Sequence, residues 1–216
     1  MRYEYQVDLL EVSLLLVAMA EQARTAMRDA STALLTADRE IADGVLHKDA
    51  ETDATHRLVE EKVCELLARQ APVAADLRLL ITALHIAGDL ARMGDLAEHV
   101  AKTALRRMPA VAVPEELAPV IRDMASVCDR MAEKIGQVLA ASDAKGAAQL
   151  ERDDDAVDEL QRQLFALMLG AAWRHGVEQA VDGALLGRFY ERFADHAVKA
   201  GQHVVYLVTG YQAPAS

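Results

Sequence analysis

The 216-residue chain has few of the residues that interrupt helices or favour strands. It contains 11 glycines, 5 prolines and only 4% aromatic residues. Glycine and proline are typical of turns, whereas aromatic and β-branched clusters are typical of strands. Their scarcity, beside abundant alanine, leucine and glutamate, excludes a fold built mainly on sheets and predicts an all-α fold with long helices.

Two further shortages, in cysteine and in long apolar runs, bear on the compartment in which the protein works. Cys64 and Cys128 are isolated, which is typical of core thiols in a reducing compartment rather than of a disulfide framework. The most apolar run, Leu9 to Ala20, contains Glu11 and is shorter than the ~20 residues that a membrane span needs. The first residues do not resemble a signal peptide. We therefore predict a cytoplasmic protein without a membrane span.

Positive charge is also in the minority. The chain has 23 lysines and arginines against 34 aspartates and glutamates, a formal net charge of −11. The absence of a basic run excludes a general nucleic-acid binder. An acidic excess suits cation binding or a basic protein partner, and it also keeps a protein soluble. Charge alone leaves these alternatives open.

What the chain does have is apolar residues at steps of three and four, the spacing of amphipathic helices. In the first helix, for example, this pattern predicts an inward stripe of Leu10, Leu14, Val17, Ala20, Ala23 and Met27. The clearest break is Met108–Pro114, because two prolines five residues apart prevent a continuous helix. We predict domains 1–108 and 109–216, with six long helices over about 9–35, 39–69, 74–107, 115–141, 143–172 and 176–208.

The second half of the chain repeats the first. Asp38, Asp49 and Asp53 recur 105 residues later as Asp143, Asp154 and Asp158. Near the end of each half the offset becomes 100, as in the pairs Arg92/Arg192 and Asp95/Asp195. The connection that contains Pro72 can absorb this five-residue difference, because loops tolerate insertions. An internal duplication therefore predicts two tandem three-helix bundles, each packed up-down-up.

Carboxylate pairs recur at equivalent places in these bundles. Residues four apart on a helix point from one face, as do Asp49/Asp53, Asp154/Asp158 and Glu191/Asp195. If the pairs of neighbouring helices face each other, their charges repel unless a cation neutralises them. Oxygen ligands favour hard ions such as magnesium, manganese, calcium or ferric iron. The alternative is a solvated helix face, since about five such pairs are expected by chance in a chain this acidic.

Three stretches of sequence resemble the PhoU family. They are 70–78 (QAPVAADLR), 89–95 (DLARMGD) and 190–197 (YERFADHA), and the resemblance extends over nearly the whole chain to 206–210 (YLVTG). It implies a fold of two three-helix bundles in one chain, in agreement with the duplication.

The resemblance also implies metal ions, held by a Glu/Asp-x-x-x-Asp motif pair in each bundle. Transferred to this chain, one site consists of Asp154, Asp158, Glu191 and Asp195, and the other of Asp49, Asp53 and Asp95. The expected ions are iron, magnesium or manganese. Ala91 stands where the second site lacks a carboxylate, so we expect that site to be weaker, with Glu98 as a substitute ligand.

In function, the resemblance implies a cytoplasmic adaptor without catalysis of its own. Such a protein restrains the phosphate-starvation response through contacts with a sensor histidine kinase and with the ATPase of the phosphate transporter, and we expect it to be a homodimer. Two other functions fit the residues. One is a metal-storage protein or metal-dependent enzyme, which would need an open coordination position and a substrate cavity. The other is a structural oligomer that uses exposed helix faces.

Overall fold

The computed structural model describes residues 2–69, 72 and 74–211, and these residues form helices and turns without any strand. The predicted all-α fold is therefore confirmed. Six helices are long and one, α5, is a single turn. Their bounds are α1 Arg2–Thr36, α2 Arg39–Arg69, α3 Ala75–Arg107, α4 Ala118–Ala141, α5 Ala144–Ala147, α6 Leu150–Leu169 and α7 Gly176–Thr209.

The short helix α5 is where the structure departs from the predicted fifth helix, which was continuous. The Asp143 side chain accepts a hydrogen bond from the backbone N–H of Lys145 and so caps α5. The chain then turns before α6 begins at Leu150. This corner lies close against α7, since a Cβ atom added at Gly201 would be 2.8 Å from Leu150 Cδ1. A straight helix would not follow this corner.

The inward face of α1 was predicted wrongly at its N-terminal end. Leu10 and Leu14 are both 59% exposed, whereas Leu9, Val12 and Leu16 are buried. The run from Leu9 to Val17 is apolar on almost every side, so the three- and four-residue spacing fits more than one face. The same spacing predicts that Leu58 of α2 and Leu77 of α3 point inward, but they are 41% and 40% exposed.

The helices of each half pack together, and the halves then pack on each other. Helix α1 lies against α2, α3 and α4, while α7 lies against α3, α4 and α6. The buried side chains of both halves form one continuous hydrophobic cluster. Within it the Tyr190 hydroxyl lies 2.8 Å from Ser31 Oγ of the other half. The division into domains 1–108 and 109–216 stays a prediction, because the helices on both sides of it share this core.

Polar contacts also join the halves. Arg24 donates hydrogen bonds from Nε and Nη2 to Asp129, at 2.9 and 3.1 Å. Between α3 and α7, Asp89 lies 2.9 Å from His196 Nδ1 and 3.5 Å from His203 Nε2. Burial alone would raise the pKa of Asp89, but the hydrogen bonds from the two histidines hold it below its ordinary value. These pairs fix the register of the interface between the halves.

Candidate functional site

The carboxylates predicted for the C-terminal half do converge on one region. Asp154 and Asp158 extend from α6, and Glu191 and Asp195 extend from α7, which packs beside α6. Burial raises the pKa of Asp154 to about 7, and the negative charges of Asp195, Asp158 and Glu191 add to this shift. The four groups are thus near enough to act electrostatically on one another.

Two oxygen atoms in this C-terminal set are buried without a hydrogen-bond partner among the described residues. They are Oδ1 of Asp154 and Oε2 of Glu191. A buried carboxylate oxygen without a donor is unfavourable, so each atom is suited to a cation or a proton. A fully solvated helix face, the alternative from the sequence, does not account for these two atoms, although it does describe the exposed Asp158.

Arg188 also belongs to this site, although it is not among the predicted site residues. Its Nη1 forms an ion pair with Oε1 of Glu191. Burial and the charge of Asp195 raise the pKa of Glu191, and Arg188 offsets part of that rise. Its position three residues before Glu191 was a readable signal, because i,i+3 pairs meet on a helix surface.

The N-terminal set is built differently. Asp49 on α2 faces α3 at Gly94, where an added Cβ atom would lie 3.8 Å from Asp49 Oδ1. Burial raises the pKa of Asp49, and the charges of Glu98, Asp53 and Asp95 raise it further. Of these three charges, that of Glu98 has the largest effect on Asp49. The role of Glu98 as a substitute for the carboxylate missing at Ala91 stays a prediction.

Cations of the protein already neutralise part of the N-terminal set. Lys102 Nζ lies 2.5 Å from Glu98 Oε2, and Arg92 Nη1 lies 2.8 Å from Asp95 Oδ2. The positions equivalent to Glu98 and Lys102 in the C-terminal half are Val198 and Gln202. The two sets therefore differ in more than Ala91. The N-terminal set has the additional carboxylate of Glu98 and its partner Lys102, and the C-terminal set has neither.

The side chains of neither set close around a single point. Among the described residues, no three histidine, cysteine, aspartate or glutamate side chains are arranged to hold one metal ion. The C-terminal set suits a hard cation, because its donors are carboxylate oxygens and two of them lack a hydrogen-bond partner. To bind one ion together, the side chains would have to rotate toward it.

The raised pKa of Asp154 predicts a pH-dependent cost in stability. A carboxyl group whose folded pKa exceeds its unfolded value binds its proton more tightly when folded, so stability falls as pH rises from about 4 to about 7. The full shift corresponds to about 4 kcal/mol, and solvent screening of this half-buried group reduces it to ~1–2 kcal/mol. We expect Asp154→Asn to stabilise the metal-free protein by that amount at pH 8 and hardly at all at pH 4.

Urea unfolding in the presence of a chelator measures this difference at the two pH values. Asp155→Asn is the control, because Asp155 is the adjacent, exposed aspartate of the same helix and the weakest of the charges that raise the pKa of Asp154, so its gain should be much smaller. An Asp154→Asn variant that is no more stable than the parent at pH 8 would contradict the proposed mutual repulsion.

Comparisons with known proteins extend over nearly the whole chain. The family model described as PhoU domain matches residues 16–104 and 121–204, one match in each half. PhoU homolog 2 of Mycobacterium tuberculosis, a phosphate-specific transport system accessory protein, is 42% identical over 97% of this chain and 99% of its own length. The crystal structure of PhoU from Pseudomonas aeruginosa has a TM-score of 0.86 at 28% identity and covers 96% of this chain and 100% of its own.

A second solved structure, the phosphate transport system regulatory protein PhoU from Streptococcus pneumoniae, also has a TM-score of 0.86. It covers 98% of this chain and all of its own at 23% identity, so it supports the fold alone. None of the helices in the part of the chain that the structure describes is both long and apolar enough to cross a membrane.

Proposed function

The chain belongs to the PhoU family, and from this premise we propose that it is an accessory protein of phosphate-specific transport that restrains the phosphate-starvation response. The proposal rests on the match to relatives that are named phosphate-specific transport system accessory proteins. One of them is 42% identical over 97% of this chain. The relatives are named as accessory proteins rather than as enzymes. We accordingly propose an adaptor that works by binding in the cytoplasm, without catalysis of its own.

The proposed partners are a sensor histidine kinase and the ATPase of the phosphate transporter. The net charge of −11 suits association with basic surfaces on such partners. Opposite charges accelerate encounter and lose strength as salt screens them, so this association should weaken at higher ionic strength. A homodimer, as first predicted, would present two copies of the same acidic faces.

Metal binding is the second part of the proposal. Asp154, Asp158, Glu191 and Asp195 would hold a hard cation such as iron, magnesium or manganese, which would neutralise carboxylates that now repel one another. Because the four residues extend from two helices, they would tie α6 to α7. The weaker second site would use Asp49, Asp53 and Asp95, with Glu98 as the additional carboxylate.

Deletion of the gene tests the regulatory role. In phosphate-rich medium, we expect the deletion strain to express phosphate-starvation genes and to take up phosphate above wild-type levels, because the restraint is gone. Transcript levels of those genes and uptake of labelled phosphate are the measurements, and a plasmid copy of the gene is the control that restores both. Wild-type levels in the deletion strain, with no close paralogue to cover the loss, would contradict the proposal.

A further inference from the structure

The two halves of the chain contain clefts at equivalent positions, and these clefts carry opposite charge. The cleft between α1 and α2 has a volume of about 370 Å³, and its charged lining residues are Glu21, Lys48, Asp49 and Glu51. The cleft between α4 and α6 has a volume of about 310 Å³, and its charged lining residues are Arg130, Glu133, Lys134, Arg152 and Asp153. Several lining positions correspond under the repeat, and the cleft of the second half is basic in a chain that is acidic overall.

An ion pair at equivalent positions of the two halves involves a residue that lines each cleft. In the first half Lys48 on α2 lies 3.3 Å from Asp29 on α1. At the two equivalent positions of the second half, Asp153 on α6 forms an ion pair with Lys134 on α4. The pair is kept with its charges exchanged, so it adds no net charge to either cleft. The basic character therefore comes from other positions.

Those positions are Arg130 and Arg152, which replace Thr25 and His47 of the first half. Both carboxylates that line the basic cleft are already engaged, Asp153 by Lys134 and Glu133 by Arg24 at 3.4 Å. Arg130 donates to Ser126 Oγ at 2.8 Å, and within the described residues neither arginine forms an ion pair with a carboxylate.

The position of Arg152 also bears on the positive charge of the cleft. It lies in the first turn of α6, which begins at Leu150. The N-terminal end of a helix carries a partial positive charge, so a cation there is unfavourable and an anion is favourable. Glu151 and Asp153 occupy the same first turn and already compensate the helix end. The positive charge of the cleft therefore rests on the two guanidinium groups, since both lining carboxylates are paired with other cations.

We propose that the cleft between α4 and α6 binds a small phosphate-bearing anion. Guanidinium groups bind phosphate oxygens through paired N–H donors, which gives such a site its specificity. The volume of about 310 Å³ is at the lower end of the range for small-molecule sites and leaves room for an organic group beside the phosphate. The exposed Ala156 and the edge of Val127 supply apolar contacts for that group.

Isothermal titration of the purified full-length protein tests this site. Inorganic phosphate and adenosine 5′-monophosphate are the probes, at low salt and with a chelator present so that no metal ion mediates the contact. We expect saturable binding of at least one probe and at least a tenfold loss of affinity in the double variant Arg130→Ala/Arg152→Ala. Both arginines are exposed, so the variant should fold, and circular dichroism checks this.

The matched control is Arg122→Ala/Arg162→Ala, which removes two exposed arginines from the same two helices outside the cleft lining. Its affinity should stay within twofold of the parent protein. Equal losses of affinity in the two double variants would mean that only the net charge of the protein matters, and they would overturn the proposal. Failure of both probes to bind saturably would overturn it as well. Tighter binding of the nucleotide than of phosphate would favour a phosphorylated metabolite, and phosphate binding that is equal or tighter would show that the phosphate group alone is recognised. Because this assay involves no kinase or transporter, its outcome is independent of the regulatory role.

Discussion

Replacement of Phe193 by alanine is expected to lower the free energy of unfolding by about 3–5 kcal/mol. The Phe193 side chain is fully buried, and truncation there leaves a cavity in addition to losing apolar contacts. The equivalent residue of the first half, Met93, is also fully buried and belongs to the same continuous core. Met93→Ala should cost about 2–5 kcal/mol. Urea unfolding followed by circular dichroism measures both effects.

The shared core adds a second expectation to this experiment. Because both residues lie in one cluster, each variant should shift a single unfolding transition of the whole chain. Phe165→Ala is the control, since this phenylalanine on α6 is 38% exposed and its loss should cost much less. Two separate transitions, of which each variant moves only one, would mean that the halves unfold independently.

The second large effect concerns metal affinity. The double variant Glu191→Ala/Asp195→Ala should bind magnesium or manganese about 100-fold more weakly than the parent, because it removes two of the four anionic oxygen ligands proposed for the stronger site. Of the single variants, Asp195→Ala should lose more bound metal than the equivalent Asp95→Ala. The reason is that Glu98 and Lys102 already make the first half's site less dependent on an ion.

Titration calorimetry and metal analysis after dialysis give the affinities and the stoichiometry. Asp155→Ala/Glu159→Ala is the control, because it removes two exposed carboxylates of α6 that lie outside the proposed ligand set. A larger loss from Asp95→Ala than from Asp195→Ala would reverse the ranking of the sites. If the parent protein binds no metal, the carboxylates bind only protons and the neighbouring arginines and lysines.

Most of the helix bounds could be read from the sequence, because proline, capping residues and apolar spacing act locally. The long helices end within a few residues of the predicted positions, as at Arg69, Arg107 and Ala141. The corner before Leu150 could not be read in this way, because it depends on how closely α5 and α6 approach Gly201 of another helix. The sequence also left open which face of α1 is buried near Leu10, because only packing against other helices selects one face of an apolar run.

The candidate site was predictable to a similar degree. The four-residue spacing and the repeat identified the carboxylates, and the structure brings the two C-terminal pairs within electrostatic reach of one another. The i,i+3 spacing of Arg188 and Glu191 on α7 was a readable signal for their ion pair. Spacing could not indicate that Oδ1 of Asp154 is buried, because that burial depends on how α6 packs against its neighbours in the bundle.

The contact between Arg24 and Asp129 has a consequence for the origin of the fold. These positions are equivalent in the two repeats, 105 residues apart, and they touch each other. In a symmetric dimer of a single ancestral bundle, a residue on the two-fold axis meets its own copy, so either residue would face a like charge there. A duplicated chain, whose halves can diverge, puts an arginine on one side of the contact and an aspartate on the other. Duplication followed by divergence thus made available an asymmetric ion pair that two identical subunits cannot form.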